Sequence, residues 1–285
     1  MFDDVRTTEP ALVEAFQRDG HVCVRGLAGG DELAAVRPAV ERAAETRTTG
    51  VAPLEARDTY GKAFLQAANL WRLDEIVRTF VFGPRFAAVA AQLLGVDGVR
   101  LYHDQALIKE AGGGHTPWHQ DQRYWPLDTD MTITMWMPLV DVPLEIGTMT
   151  FASGSHRLGD LAGPIISDES DVTFDAAVRD RALPLATHGA LAAGDATFHA
   201  GWTLHRAPCN PTRGTRPVMT VIYFADGARV TEPADDFQRF DLAMWLKDSG
   251  PGDLAAGARN PLLYHARRGG DPLVTPSPRL GTRPA

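Results

Sequence analysis

The sequence predicts an α+β fold, mainly β, with helices first and a jelly roll of short strands after them. Three observations predict it. Up to about residue 98, apolar stripes run between proline starts and glycine stops, which is a helical texture. After Val99, β-branched and apolar runs follow one another between glycine and proline signals. Helices segregated ahead of strands, with no fixed-period repeat, G-x-G-x-x-G or P-loop, argue for one α+β domain and against a nucleotide fold. The 285 residues are 44% apolar, enough to bury a core without metal or disulfide staples.

Each element has its own warrant. Pro10 to Asp19 opens with proline in the first turn, aligns Leu12, Val13 and Phe16, and stops at Gly20. His21 to Gly26 reads as a short alternating strand. Asp31 caps a helix through about Thr46, which Pro38 must kink or restart. Leu73 to Phe82 and Pro84 to Leu94 are two shorter helices, the second ended by Gly95. Strands are expected at Val99–Lys109, Thr132–Val140, Thr148–Ala152, Gly189–His199 and Pro217–Ala225. The helical part thus spans about 1–98, the jelly roll about 99–230, and an irregular tail about 231–285, rich at its end in Pro, Gly and Arg. No linker divides them.

Charge and cysteine content narrow the function classes. The net charge is −8, and no basic run exceeds two consecutive residues, which excludes a nucleic-acid groove or a binder of anionic membrane. Cys23 and Cys209 form no Cys-x-x-Cys pair or disulfide framework, which fits a reducing cytosol. The acidic start Met1-Phe2-Asp3-Asp4 is no signal peptide, and no apolar run spans a membrane. A cytoplasmic protein with a small-molecule substrate is the expectation.

The chemistry concentrates in Gly112 to Asp121. On a strand or its exit, residues i and i+2 share a face, so His119 and Asp121 point the same way. Alone, a His-x-Asp triplet reads first as a solvated turn. One distant histidine added to such a pair makes a 2-His-1-carboxylate facial triad, and His205 lies 86 residues beyond His119. Such a triad covers three metal positions and leaves three open.

The pattern His119-Gln120-Asp121, Gly194-Asp195, His205 and then Arg216 resembles the phytanoyl-CoA dioxygenase family of Fe(II)/2-oxoglutarate oxygenases. Tyr124-Trp125-Pro126, Gly154-Ser155-His156-Arg157, Asn210 and the opening Phe16 to Val22 agree with it, over roughly residues 10 to 230. The resemblance implies a double-stranded β-helix, a cupin-like jelly roll with helices buttressing one face. It also implies Fe(II) on His119, Asp121 and His205, with 2-oxoglutarate and O2 as co-substrates. Arg216 would take the far carboxylate of 2-oxoglutarate through its bidentate fork, with Gln105 and Trp136 lining that pocket. Tyr124 and Trp125, close behind the metal motif, would face a mostly apolar substrate. Because Asp121 is present, hydroxylation or related radical epimerisation, cyclisation or desaturation is implied rather than halogenation. Alanine-rich, lysine-poor composition and the lack of a basic patch for a CoA phosphate favour secondary-metabolite tailoring.

Two positions depart from the family's pattern. Ala207 stands where a Ser or Thr hydroxyl usually bonds the co-substrate, which removes about 0.5–1.5 kcal/mol. Ile146-Gly147 replaces a frequent Asn-Gly. Among the other histidines, His115 reads as a loop residue, His156 as a turn cap, and His199 as a buried hydrogen-bonding residue whose rival reading is the distal metal ligand. His103 and Asp104, adjacent on a strand, face opposite ways. Trp118, Trp125, Trp136 and Trp202 are core or cavity wall, and Cys209 reads as packing. The rival functions are a cupin-type metalloenzyme that does not use 2-oxoglutarate and an inactive small-molecule binder on the same fold.

Overall fold

The computed structural model describes residues 1–146 and 148–268; Gly147 of the Ile146-Gly147 departure and 269–285 of the tail lie outside them. In chain order the elements are α1 (Pro10–Asp19), β1 (His21–Val24), α2 (Gly30–Thr48), α3 (Thr59–Ala63), β2 (Leu65–Ala68), α4 (Glu75–Val81), α5 (Pro84–Leu94), β3 (Gly98–Lys109), β4 (Thr116–His119), β5 (Thr132–Pro138), β6 (Thr150–Ala152), α6 (Asp168–Asp180), β7 (Leu185–Thr187), β8 (Ala196–Ala200), β9 (His205–Ala207), β10 (Arg216–Ala225), α7 (Asp236–Trp245) and β11 (Leu262–His265). They build two antiparallel sheets, the double-stranded β-helix. The larger runs β1-β8-β5-β10-β3-β11, with β2 also on β3; the smaller runs β4-β9-β6-β7.

The larger sheet divides its two faces by simple alternation. Along β5, Ile133, Met135 and Met137 join the core under the helices, whereas Thr134 and Trp136 line an internal cavity. Along β10, Met219, Val221 and Tyr223 go to the helices, and Thr220 and Ile222 to the cavity. The helices supply the other half of that core, with Val36 and Val40 from α2, Val77 and Phe80 from α4, and Phe86 and Leu93 from α5.

In β3 the alternation breaks once, with a consequence for the site. Ile222 faces His103 and Tyr223 faces Leu101, so Tyr102 is an extra residue, a β-bulge. Leu101 and Ala106 stay on the helix side, but Tyr102 and His103 both turn away from it. Asp104 faces back, accepting a hydrogen bond from Leu70 N at 2.9 Å.

Four expectations are corrected. The second helix starts at Gly30 and is one continuous helix through Pro38, so the restart half of that expectation falls. Its six buried apolar residues outweigh the one backbone hydrogen bond that proline removes. The strand expected over Gly189–His199 begins only at Ala196. Before it, Asp195 accepts from Ala192 N and Gly26 N and pairs with Arg25, tying a turn. At Gly194 a Cβ would lie 2.2 Å from Ala28 O, and φ is +88°, so only glycine fits. The described part of the tail, 231–268, is not irregular: it carries α7, capped by Asp235, and β11, which pairs with β3. Cys209 is exposed rather than packed. No helix of the described residues is long and apolar enough to cross a membrane.

Candidate active site

The smaller sheet brings the triad together. His119 ends β4 and His205 begins β9, and the two are register partners across that pair. Asp121 follows Gln120, whose extended backbone keeps Asp121 on the His119 side before a 3-10 turn starts. The ligand atoms of His119, Asp121 and His205 lie within 4.8 Å of one another.

Hydrogen bonds fix which atoms are offered. His119 Nδ1 lies 2.8 Å from Pro117 O, and His205 Nδ1 lies 2.9 Å from Thr203 O. A carbonyl only accepts, so each Nδ1 carries the proton and each Nε2 keeps its lone pair. Both Nε2 atoms turn toward Asp121 Oδ1, at 3.6 and 3.8 Å. The other oxygen, Oδ2, accepts from Thr134 Oγ1 at 2.8 Å and from His199 Nε2 at 3.1 Å. Thr134 and His199 are themselves register partners across β5 and β8. The smaller sheet thus supplies the two candidate histidine ligands, and the larger sheet supplies the donors that aim the carboxylate.

Electrostatics agree with this division. Burial pushes His119 and His205 down to about 4, so both imidazoles are neutral at physiological pH. Burial alone would raise Asp121, but His205, His199 and His119 more than offset it and hold the carboxyl well below the usual range. Two neutral imidazole lone pairs and one carboxylate oxygen fit a divalent first-row cation with open positions, as non-haem iron requires.

A cavity of about 540 Å³ opens on the triad, within the range of small-molecule sites. Arg216, Gln105, Trp136, Tyr124 and Trp125 all line it. Arg216, only 2% exposed, begins β10, with its guanidinium 5.1 Å from the Trp136 ring centroid. Gln105 accepts from Gln66, which in turn accepts from the Tyr60 hydroxyl at 2.8 Å. Tyr124 accepts from Ile166 N through its hydroxyl, and Trp125 packs with Tyr102. Ala207 reaches the cavity without a hydroxyl, yet its register partner Thr116 lines it too.

The remaining histidines and tryptophans sort themselves. His115 is exposed near Asp171, and His156 sits in a 3-10 turn against α1, where a Cβ on Gly20 would strike its ring. Trp118 is fully buried core under Arg206, and Trp202 does not line the cavity. Sequence reading missed several residues: Thr134, Lys109 and Asp241. Lys109 faces Arg216 across β3 and β10 and is fully buried, its amine donating to Gly114 O. Burial and the Arg216 charge push it down to about 7. Thr134 had no readable signal, being one threonine in an apolar strand.

Comparison with known proteins gives one consistent answer. The Phytanoyl-CoA dioxygenase (PhyH) model matches residues 16–218. The chain is 28% identical over 152 residues to an ectoine dioxygenase of Bordetella parapertussis, covering 51% of this chain and 48% of that protein. It is 28% identical over 107 residues to a phytanoyl-CoA dioxygenase of Arabidopsis thaliana, covering 37% of each. The matches therefore span less than half the length of these two curated relatives. Among solved structures, the non-heme alpha ketoglutarate dependent epimerase SnoN from nogalamycin biosynthesis superposes with a TM-score of 0.71 at 28% identity, over 90% of this chain and 95% of that one. A match across residues 16–218 that includes both halves of the triad leaves one conclusion: this chain belongs to the phytanoyl-CoA dioxygenase family.

Proposed function

We propose that the protein is an Fe(II)/2-oxoglutarate-dependent oxygenase acting on a small, mostly apolar organic molecule in secondary-metabolite biosynthesis. The observation that carries this reading is the convergence of His119 Nε2, His205 Nε2 and Asp121 Oδ1 beside a cavity that also holds buried Arg216. A structure of SnoN contains Fe3+, alpha ketoglutarate and nogalamycin RO, which supports the same cofactors here.

In this reading His119, Asp121 and His205 hold the metal. Bound Fe(II), with 2-oxoglutarate and O2, supplies the oxidising power for attack on a substrate C–H bond. The chain's own groups do the rest. Thr134 and His199 keep Asp121 Oδ2 engaged, which leaves Oδ1 as the oxygen that would hold the metal. Arg216 neutralises the far carboxylate of 2-oxoglutarate, and Trp136 covers its guanidinium face. Thr116 offers the hydroxyl that Ala207 lacks. Tyr124, Trp125, Ile165 and Ile166 wall the cavity and keep water from the reacting atoms. An epimerase as a structural relative supports hydrogen abstraction whose outcome is hydroxylation, epimerisation, cyclisation or desaturation.

Anaerobic Fe(II) titration and succinate formation test the reading. The expected result is one Fe(II) per chain, lost in His205→Ala, and slow uncoupled succinate formation that needs 2-oxoglutarate. Full iron binding in His205→Ala would overturn the triad. Turnover indifferent to 2-oxoglutarate would instead favour the cupin-type rival.

A further inference from the structure

The wall of the cavity formed by α7 and the β3 bulge has a chemistry that the oxygenase reading does not use. Asp241, on α7, is only 7% exposed and lines the cavity. Its Oδ2 accepts from the Tyr102 hydroxyl at 2.9 Å, and Trp245 also donates to the carboxyl. Both donors are neutral. Trp245, which touches this carboxyl, shares the cavity wall with Phe240, Phe237 and the His103 ring. The Trp245 and His103 rings lie 4.6 Å apart, and Phe240 meets Trp245 edge-on at 6.5 Å. Phe237 and Phe240 remain 44% and 58% exposed, so apolar surface is left for an occupant to cover.

We propose that this wall is the recognition site for a protonated amine carried by a ring-containing substrate, with Asp241 as its counter-ion. The proposal rests on the oxygenase reading only in calling the occupant a substrate. A carboxylate among rings is costly unless a positive charge joins it, and burial already pushes Asp241 up to about 7. Ring faces attract the same positive charge through their quadrupoles. A neutral hydroxyl would use the carboxylate but gain nothing from the rings, and an anion would be repelled. Among the described residues, the two arginines that line the cavity lie against other rings, Arg216 over Trp136 and Arg206 over Trp118. The bulge matters because it turns Tyr102 and His103 to the same side, one to hold Asp241 and the other to wall the cavity.

Two probes separate the amine from the ring that carries it. Naphthylmethyl-dimethylamine is protonated at neutral pH; naphthylmethyl methyl ether has the same ring and no charge. Each is titrated calorimetrically into the metal-free, full-length chain. The amine is expected to bind at least about tenfold tighter than the ether, a difference of about 1.4 kcal/mol. Asp241→Asn should remove most of that preference and leave the ether unchanged, while Asp241→Glu should retain much of it. Equal binding of the two probes to the wild-type chain would overturn the proposal, whether or not Asp241→Asn folds. So would an amine that does not saturate by about 1 mM, a free energy near −4 kcal/mol, or equal losses for both probes in Asp241→Asn. The titration needs no metal, so its failure leaves the iron reading standing, and a failed iron titration leaves the amine preference standing.

Discussion

At one end of the cavity Asp121 is surrounded by three imidazoles; on the α7 wall Asp241 is surrounded by rings and two neutral donors. The side chains are identical, both line the same space, and burial acts on both in the same direction. Their neighbours separate them. Imidazoles and the Thr134 hydroxyl hold Asp121 as an anion, ready to ligate, whereas Asp241 is left near the point where it gains or loses its proton. Tyr60 and Tyr124, which lie near both, are each pushed up by burial and by the two carboxylates. Position in a cavity therefore says little about a carboxylate's role until its partners are counted.

The largest expected effect breaks the comparison at the metal end. Arg216→Gln should raise the 2-oxoglutarate KM at least tenfold, since truncating one member of a buried charge pair costs about 2–5 kcal/mol. Arg216→Lys should fall between, keeping charge but losing the fork. Fe(II) affinity should hardly move in either, and Asp241→Asn should leave the 2-oxoglutarate KM alone. Steady-state kinetics at varied co-substrate decide it; an unchanged KM in Arg216→Gln would refute the role.

A smaller effect concerns the donors to Asp121. His199→Leu should weaken Fe(II) binding by about tenfold, the low end for a partner of a metal ligand. Thr134→Val should weaken it less, because His199 still holds Oδ2. Metal titration checks this against the unfolding midpoint of the metal-free variants. If iron affinity tracks loss of stability alone, His199 is packing and does not position Asp121.

The smallest effect sharpens the contrast in metal-free protein. Asp241 titrates at about 7 when folded and near 4 when unfolded, so between those values the native state binds more protons. Its contribution to stability should fall as pH rises from about 4 to about 7. Asp121 is lowered instead, so its contribution is present above about pH 4 and is lost as pH falls below that value. Denaturant unfolding of wild type, Asp241→Asn and Asp121→Asn across pH should give difference curves of opposite slope. Parallel curves would mean that the two carboxyls share one environment.

Much of this was legible in the sequence, and the rest was hidden for physical reasons. β3, β5 and β10 are long and apolar, and their bounds are readable to within about two residues. β4 and β9, which carry His119 and His205, have four and three residues, too short for any alternation to register. That His119, Asp121, His205 and Arg216 meet at one cavity was still legible, because their spacing and not their secondary structure carried the signal. α7 was missed because its aromatic residues face a cavity and solvent instead of the core, so no clean stripe forms. The Asp235 cap was its one available cue. The bulge at Tyr102 leaves no mark in composition at all, since it shifts pairing and not residue type.

The register pairing of His119 with His205 has a consequence for how the chain holds together. The two residues are 86 apart in sequence, so a cation bound by both closes a large loop. Closure entropy grows only as about (3/2)RT ln n, so even so long a loop is constrained at modest cost. If the pair holds a metal, the unfolded chain presents it far less well, so metal occupancy and folding would be thermodynamically linked, and free metal at about 100 times its Kd would add up to about 2.7 kcal/mol to stability. Metal supply would then bear on the stability of the protein as well as on its rate.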